Sequence, residues 1–108
     1  MATPNLDVFQ VIADPSRRQI LQMLTKDSYN INSISEKFEM SRPAVSKHIK
    51  ILQTAGFITI RISGREHYCV LNEKGFEEIR KWINYFDQFW NHKLKNLEKL
   101  LKNKKTIH

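Results

Sequence analysis

Five cationic side chains, Arg42, Lys47, Lys50, Arg61 and Arg65, fall within the 25 residues from 41 to 65, and no acidic residue lies among them. The chain carries 18 Lys and Arg against 11 Asp and Glu. The remainder therefore holds 18 − 5 = 13 basic against 11 acidic residues, and five of the seven net positive charges sit in this stretch. Charge gathered this way is the footprint of a polyanionic partner. Arginine and lysine on one helix face can donate to guanine edges or to phosphates. Arginines on a short hairpin can lie along a minor groove or a phosphate strand. The chemistry indicated is recognition rather than bond making. No glycine-rich phosphate loop, nucleophile–base set or carboxylate pair stands out, so no enzyme is expected. His67 and Cys69, at i and i+2, could supply two metal ligands or a redox-sensitive thiol. A closed zinc site needs about four ligands, and His48, His92 and His108 build no second cluster. No metal and no cofactor is expected.

These side chains need a scaffold. Ser41 reads as the N-cap of a helix, and Pro43 is tolerated in a first turn whose N–H groups lack intrahelical partners. Val45, Ile49 and Leu52 at i, i+4 and i+7 give the helix a buried stripe. At about 100° per residue, Pro43, Ser46, Lys47 and Lys50 point the other way. The small Ser46 at the centre of that face lets the helix axis approach a groove floor. Gly56 stops the helix as its C′ residue. Phe57 to Ile62 is rich in β-branched residues, Ser63-Gly64 reads as a turn, and Glu66 to Leu71 returns as a second strand. This wing spans about 57–71, with Arg61 and Arg65 flanking its tip.

Upstream, Leu6, Phe9 and Ile12 recur at helical spacing and predict a first helix over about 5–13. Asp14-Pro15 is an N-cap followed by proline at the first helical position, and Ile20, Leu21 and Leu24 form the stripe of the second helix. Asp27 to Asn30 reads as a loop. Asn32 or Ser33 caps a short third helix with Ile34 and Phe38 inward, and Glu36 completes a capping box with Ser33. Glu39-Met40-Ser41 is the turn of a helix-turn-helix over about 32–55. From about 74 to 102, Phe76, Ile79, Ile83, Phe86, Trp90, Leu94, Leu97 and Leu101 step by three or four, and the lysine-rich tail beyond is expected to fray.

This order is that of a winged helix-turn-helix: mainly α with a small β-hairpin and a long C-terminal helix, one domain over 1–108. Trp82, Phe86, Phe89, Trp90, Leu94 and Leu97, with Leu6, Phe9 and Ile12, make more apolar surface than a monomer should show. That surplus predicts a homodimer interface of helices over about 5–13 and 74–102. Completion of the core, or contact with a membrane surface through the lysine-ended helix, are the other readings of the same aromatics. With 41% hydrophobic residues the chain is expected to fold. It has no apolar run near the ~18 residues that span a bilayer. Residues 1–5 lack the features of a signal peptide, and the single cysteine excludes an internal disulfide. A cytoplasmic protein without stable membrane insertion is expected.

The segments Ala13-Asp14-Pro15-Ser16-Arg17-Arg18-Gln19-Ile20-Leu21, Ser41-Arg42-Pro43-Ala44-Val45-Ser46-Lys47-His48-Ile49 with Ala55-Gly56-Phe57, and the wing from Arg61 to Tyr68 resemble the ArsR family of bacterial winged-helix repressors. The resemblance covers about residues 6–101. The aromatic last helix is most similar to the subgroup of metal-independent SdpR-like autorepressors. The resemblance implies a homodimer joined by its first and last helices and bound to an imperfect palindrome in promoter DNA. By position it implies DNA contacts from Arg42, Ser46 and Lys47, wing contacts from Arg61 and Arg65, and a family histidine at His48. Ser41, Pro43, His48, Lys50, Ser63 and Gly64 complete the expected DNA surface. The Cys-x-Cys of the metal-sensing members is replaced by Asn30 and Asn32, and their zinc-ligand pairs in the last helix are missing, so the resemblance does not imply arsenic sensing. An inducer or a sequestering protein is expected as the release signal. Two other functions stay open: a protein-interaction module that leaves the basic face idle, and a metal or thiol sensor through His67 and Cys69.

Overall fold

The structure is a computed structural model that describes residues 6–106. The N-terminal pentapeptide read against a signal peptide, and His108, lie outside the described residues. The element order is α1 (Val8–Ile12), α2 (Pro15–Met23), β1 (Tyr29–Asn30), α3 (Ile31–Phe38), α4 (Arg42–Thr54), β2 (Ile58–Ser63), β3 (Glu66–Leu71) and α5 (Lys74–Thr106). The strands form one antiparallel sheet in the order β1-β3-β2. This is a winged helix-turn-helix with a long C-terminal helix. The chain divides into two compact units, Met1–Glu77 and Glu78–His108.

In the first unit, local chemistry sets most boundaries. Asp7 caps α1 through a capping box. Its carboxylate accepts from the Gln10 N–H at 2.8 Å, and its own N–H donates to Gln10 Oε1 at 2.9 Å. The helix therefore starts at Val8, not near residue 5, and Leu6 precedes it. Val11 is its buried residue, whereas Leu6, Phe9 and Ile12 are half-buried. Asp14 and Pro15 open α2 as expected, with Ile20, Leu21 and Leu24 in the core.

Three boundaries differ from the sequence reading. Tyr29 and Asn30, expected in a loop, form β1 by pairing with Cys69 and Tyr68. That pairing depends on residues far along the chain and leaves no local signal. The cap of α3 is Asn30, not Asn32 or Ser33. Asn30 ends β1 in extended conformation, and its Oδ1 accepts from the Ser33 N–H at 2.8 Å, so Ser33 is the capped residue rather than the cap. In the hairpin, Ser63 still pairs with Glu66, which makes Gly64-Arg65 the two-residue loop in place of Ser63-Gly64. Gly64 takes the positive φ of 62° that the reversal requires.

Glu39 adopts a left-handed conformation that ends α3, and Ser41 restarts the chain as α4 by accepting from the Ala44 N–H at 3.3 Å. Val45, Ile49, Ile51 and Leu52 anchor α4 in a core shared with Val11, Ile20, Leu24, Ile34, Phe57, Ile58 and Cys69. Gly56 ends α4 with a φ of 86°. Beside it, the Gly75 N–H donates to the Gly56 carbonyl at 2.8 Å. A Cβ on Gly75 would lie 2.7 Å from the Phe57 nitrogen, so only glycine lets these two backbones meet. Phe76 packs edge-on against Phe57, ring centroids 4.8 Å apart.

The second unit is helix. It continues to Thr106, beyond the fraying expected from Lys102, through a run without Gly or Pro. Its apolar stripe is open: Trp82, Phe86, Phe89, Trp90, Leu94 and Leu97 are each 40–58% exposed. Trp82 meets Phe86 and Phe89 meets Trp90 in edge-to-face pairs, and the Lys93 ammonium lies 5.4 Å from the centre of the Phe89 ring. Among the described residues no helix is long and apolar enough to cross a membrane.

Candidate nucleic-acid interface

Burying Val45, Ile49 and Leu52 fixes which face of α4 looks outward. Arg42, Pro43, Lys47 and Lys50 are exposed, with Ser46 half-buried among them. Arg42 and Pro43 occupy the first two helical positions after the Ser41 cap. The outer face therefore carries three cations, no carboxylate and one small side chain at its centre, a form that fits the floor of a major groove.

His48 is turned elsewhere. It is half-buried, and its Nδ1 lies 3.5 Å from Nη1 of Arg17 on α2. A guanidinium only donates, so this contact is a hydrogen bond only when Nδ1 carries no proton. Arg17 is a buried charged residue that the sequence reading did not single out. Its Nε–H donates to the Val11 carbonyl at 2.7 Å, its Nη2 reaches the Gln10 carbonyl at 3.4 Å, and Nη1 stands 3.9 Å from Asp14. Arg18 donates to the Ile12 and Ala13 carbonyls at 2.8 and 3.0 Å. The two arginines thus satisfy the open carbonyl end of α1, and Arg17 ties that end to the recognition helix. Burial acts to raise the Asp14 carboxyl. The Arg17 backbone N–H, attraction to Arg17 and then to His48, and the Ser16 N–H outweigh it and hold the group below its ordinary value. The one local signal for this cluster was an acid three residues before an arginine.

In the wing, Arg61, Ser63, Gly64 and Arg65 are exposed. Arg61 is braced at the base: it donates to Ser28 Oγ at 3.3 Å and lies over the Tyr68 ring at 5.8 Å. Arg65 sits at the tip. The wing is tied to α3 by Asn30, whose Nδ2 donates to Glu66 Oε2 at 2.9 Å. His67 and Cys69 share a strand, but His67 is exposed while Cys69 is fully buried, its thiol pushed up to about 11 by burial. Among the described residues no group of three or more His, Cys, Asp or Glu could hold a metal ion.

Residues 14–59 match the family described as bacterial regulatory protein, arsR family. The chain is 34% identical over 80 residues to the transcriptional repressor SdpR of Bacillus subtilis, an alignment covering 74% of this chain and 89% of that one. It is 32% identical over 84 residues to the arsenical resistance operon repressor of Staphylococcus xylosus, covering 75% and 81%. Among solved structures it is similar to a possible transcriptional regulator for arsenical resistance, with 38% identity, a TM-score of 0.66, and coverage of 79% of this chain and 85% of that one.

Proposed function

The chain belongs to the arsR family of bacterial regulatory proteins, and on that premise we propose that it is a DNA-binding transcriptional repressor that acts as a cytoplasmic homodimer on an imperfect palindrome. The observation that carries the DNA surface is the outer face of α4, where Arg42, Lys47 and Lys50 surround Ser46. Arg42 and Lys47 meet base edges or phosphates, and Arg61 and Arg65 grip the backbone through the wing. His48 serves that surface from behind, through Arg17.

The half-open aromatic face of α5 supports self-association, because burying Trp82, Phe86, Phe89, Trp90, Leu94 and Leu97 removes a large apolar area from water. Leu6, Phe9 and Ile12 of α1 are assigned to the same interface. A two-fold dimer places its recognition helices in successive major grooves, about 34–36 Å apart. Occupying the promoter represses transcription. Release requires an inducer or a sequestering protein that favours the unbound geometry. The positions of the family's cysteine pair hold Asn30 and Asn32, and Asn30 caps α3 and braces Glu66, which supports a release that uses no cysteine pair.

The test is a titration of a fluorescent duplex carrying the promoter of the protein's own gene, against a scrambled duplex, at two salt concentrations. Sequence-dependent binding that weakens steeply with salt is expected. Equal affinity for both duplexes would refute specific recognition there. Lys47→Ala should cost about 1–3 kcal/mol of operator binding, and an unchanged affinity removes Lys47 from the contact surface.

A further inference from the structure

A cavity of about 120 Å3 opens where the start of α3, the start of α4 and the wing come together. Arg42 faces it from the first position of α4, and Arg65 and His67 face it from the wing. Both arginines are exposed, and neither guanidinium has a hydrogen bond or ion pair to a described residue. The carboxylate on the wall, Glu66, has an oxygen engaged by the Asn30 amide. Two guanidiniums therefore face one carboxylate across this space, and the wall keeps a net positive charge.

We propose that this cavity holds a single backbone phosphate of the bound duplex, gripped from α4 by Arg42 and from the wing by Arg65. The inference rests on the DNA-binding reading and adds to it a shared ligand. Arg42 belongs at once to the outer face of α4 and to the cavity wall, so a strand flanking the major groove passes the cavity mouth on its way to the wing. A phosphodiester offers two non-bridging oxygens, and each suits a guanidinium fork. One phosphate held from both sides fixes the register of the recognition helix and that of the wing on the same strand. The Asn30–Glu66 bond keeps the wing at the spacing this requires.

A free oxyanion presents the same chemistry, so the experiment separates the two sources. An operator is first selected from a random duplex library, and each of its phosphates is replaced in turn by an uncharged methylphosphonate. Arg42→Ala and Arg65→Ala should each weaken binding about tenfold or more. At one position per half-site, methylphosphonate should cost wild type a similar factor, cost either variant little further, and cost the double variant nothing. Lys47→Ala should remain additive with that position. If the two arginines are additive with every methylphosphonate, or respond to different positions, no phosphate is shared and the proposal fails while DNA binding stands. Additive effects together with a loss of affinity in inorganic phosphate at matched ionic strength, seen in wild type but not in Arg65→Ala, would assign the cavity to a free anion and overturn the backbone assignment. Failure of any duplex to be enriched would overturn the DNA reading and the proposal with it.

Discussion

Replacing Arg17 by methionine keeps an unbranched apolar stem and removes the guanidinium. The Val11 carbonyl then loses its 2.7 Å donor in a buried setting, and an unsatisfied buried acceptor costs about 1–3 kcal/mol. The bonds to Gln10 and His48, at 3.4 and 3.5 Å, are long and add little. The Asp14 pair, at 3.9 Å and partly exposed, adds at most ~1 kcal/mol. Relief of the guanidinium's desolvation works in the opposite direction. The expected net loss is about 2–3 kcal/mol, a fall in Tm of about 10 °C or more for a domain of this size. Urea and thermal unfolding followed by circular dichroism would measure it, at fixed protomer concentration because association contributes to apparent stability. A pH series gives a second readout. The Asp14 carboxyl lies below its unfolded value in the native protein. Its contribution is therefore present above the unfolded value of about 3.9 and is lost as pH falls through the lower folded value. Without the Arg17 guanidinium that acid loss should shrink. A change in stability under ~0.5 kcal/mol, with an unaltered acid limb, would refute the view that Arg17 joins α1 to the recognition helix.

Two further outcomes follow from the packing. Gly75→Ala gains up to ~1 kcal/mol of helix propensity, but its Cβ would stand 2.7 Å from the Phe57 nitrogen and 2.8 Å from the Gly56 carbonyl carbon. Backbone atoms cannot step aside, so overpacking of about 1–3 kcal/mol should win, and a urea midpoint equal to or above wild type would contradict it. The Cys69 thiol, buried and pushed up to about 11, should be nearly inert to a disulfide reagent at pH ~8 until the protein unfolds. Rapid native modification would reopen a thiol-sensing role.

The recognition helix was legible because every signal for it is local. Ser41 caps through the amide three residues on, the Val45-Ile49-Leu52 stripe sets the buried side, and Gly56 supplies the positive φ that stops it. Once the stripe is placed, helical geometry alone turns Lys47 and Lys50 outward. The wing was legible for the same reason, to within the one residue by which the Ser63–Glu66 pair moves its loop. Other features depended on partners distant in sequence. The two residues of β1 are a strand because β3 lies beside them, and Asn30 is a cap and a wing brace only in that setting. A basic residue in a helix reads as solvated, and Arg17 is buried because the open carbonyls of α1 and His48 of α4 surround it. Gly75 carries no turn signal, and its identity matters only where α5 starts against Gly56. Backbone periodicity and capping act over a few residues and so can be read along a chain. Packing brings together residues tens of positions apart, and that closure placed His48 behind the proposed DNA surface and brought Arg42 and Arg65 to one cavity.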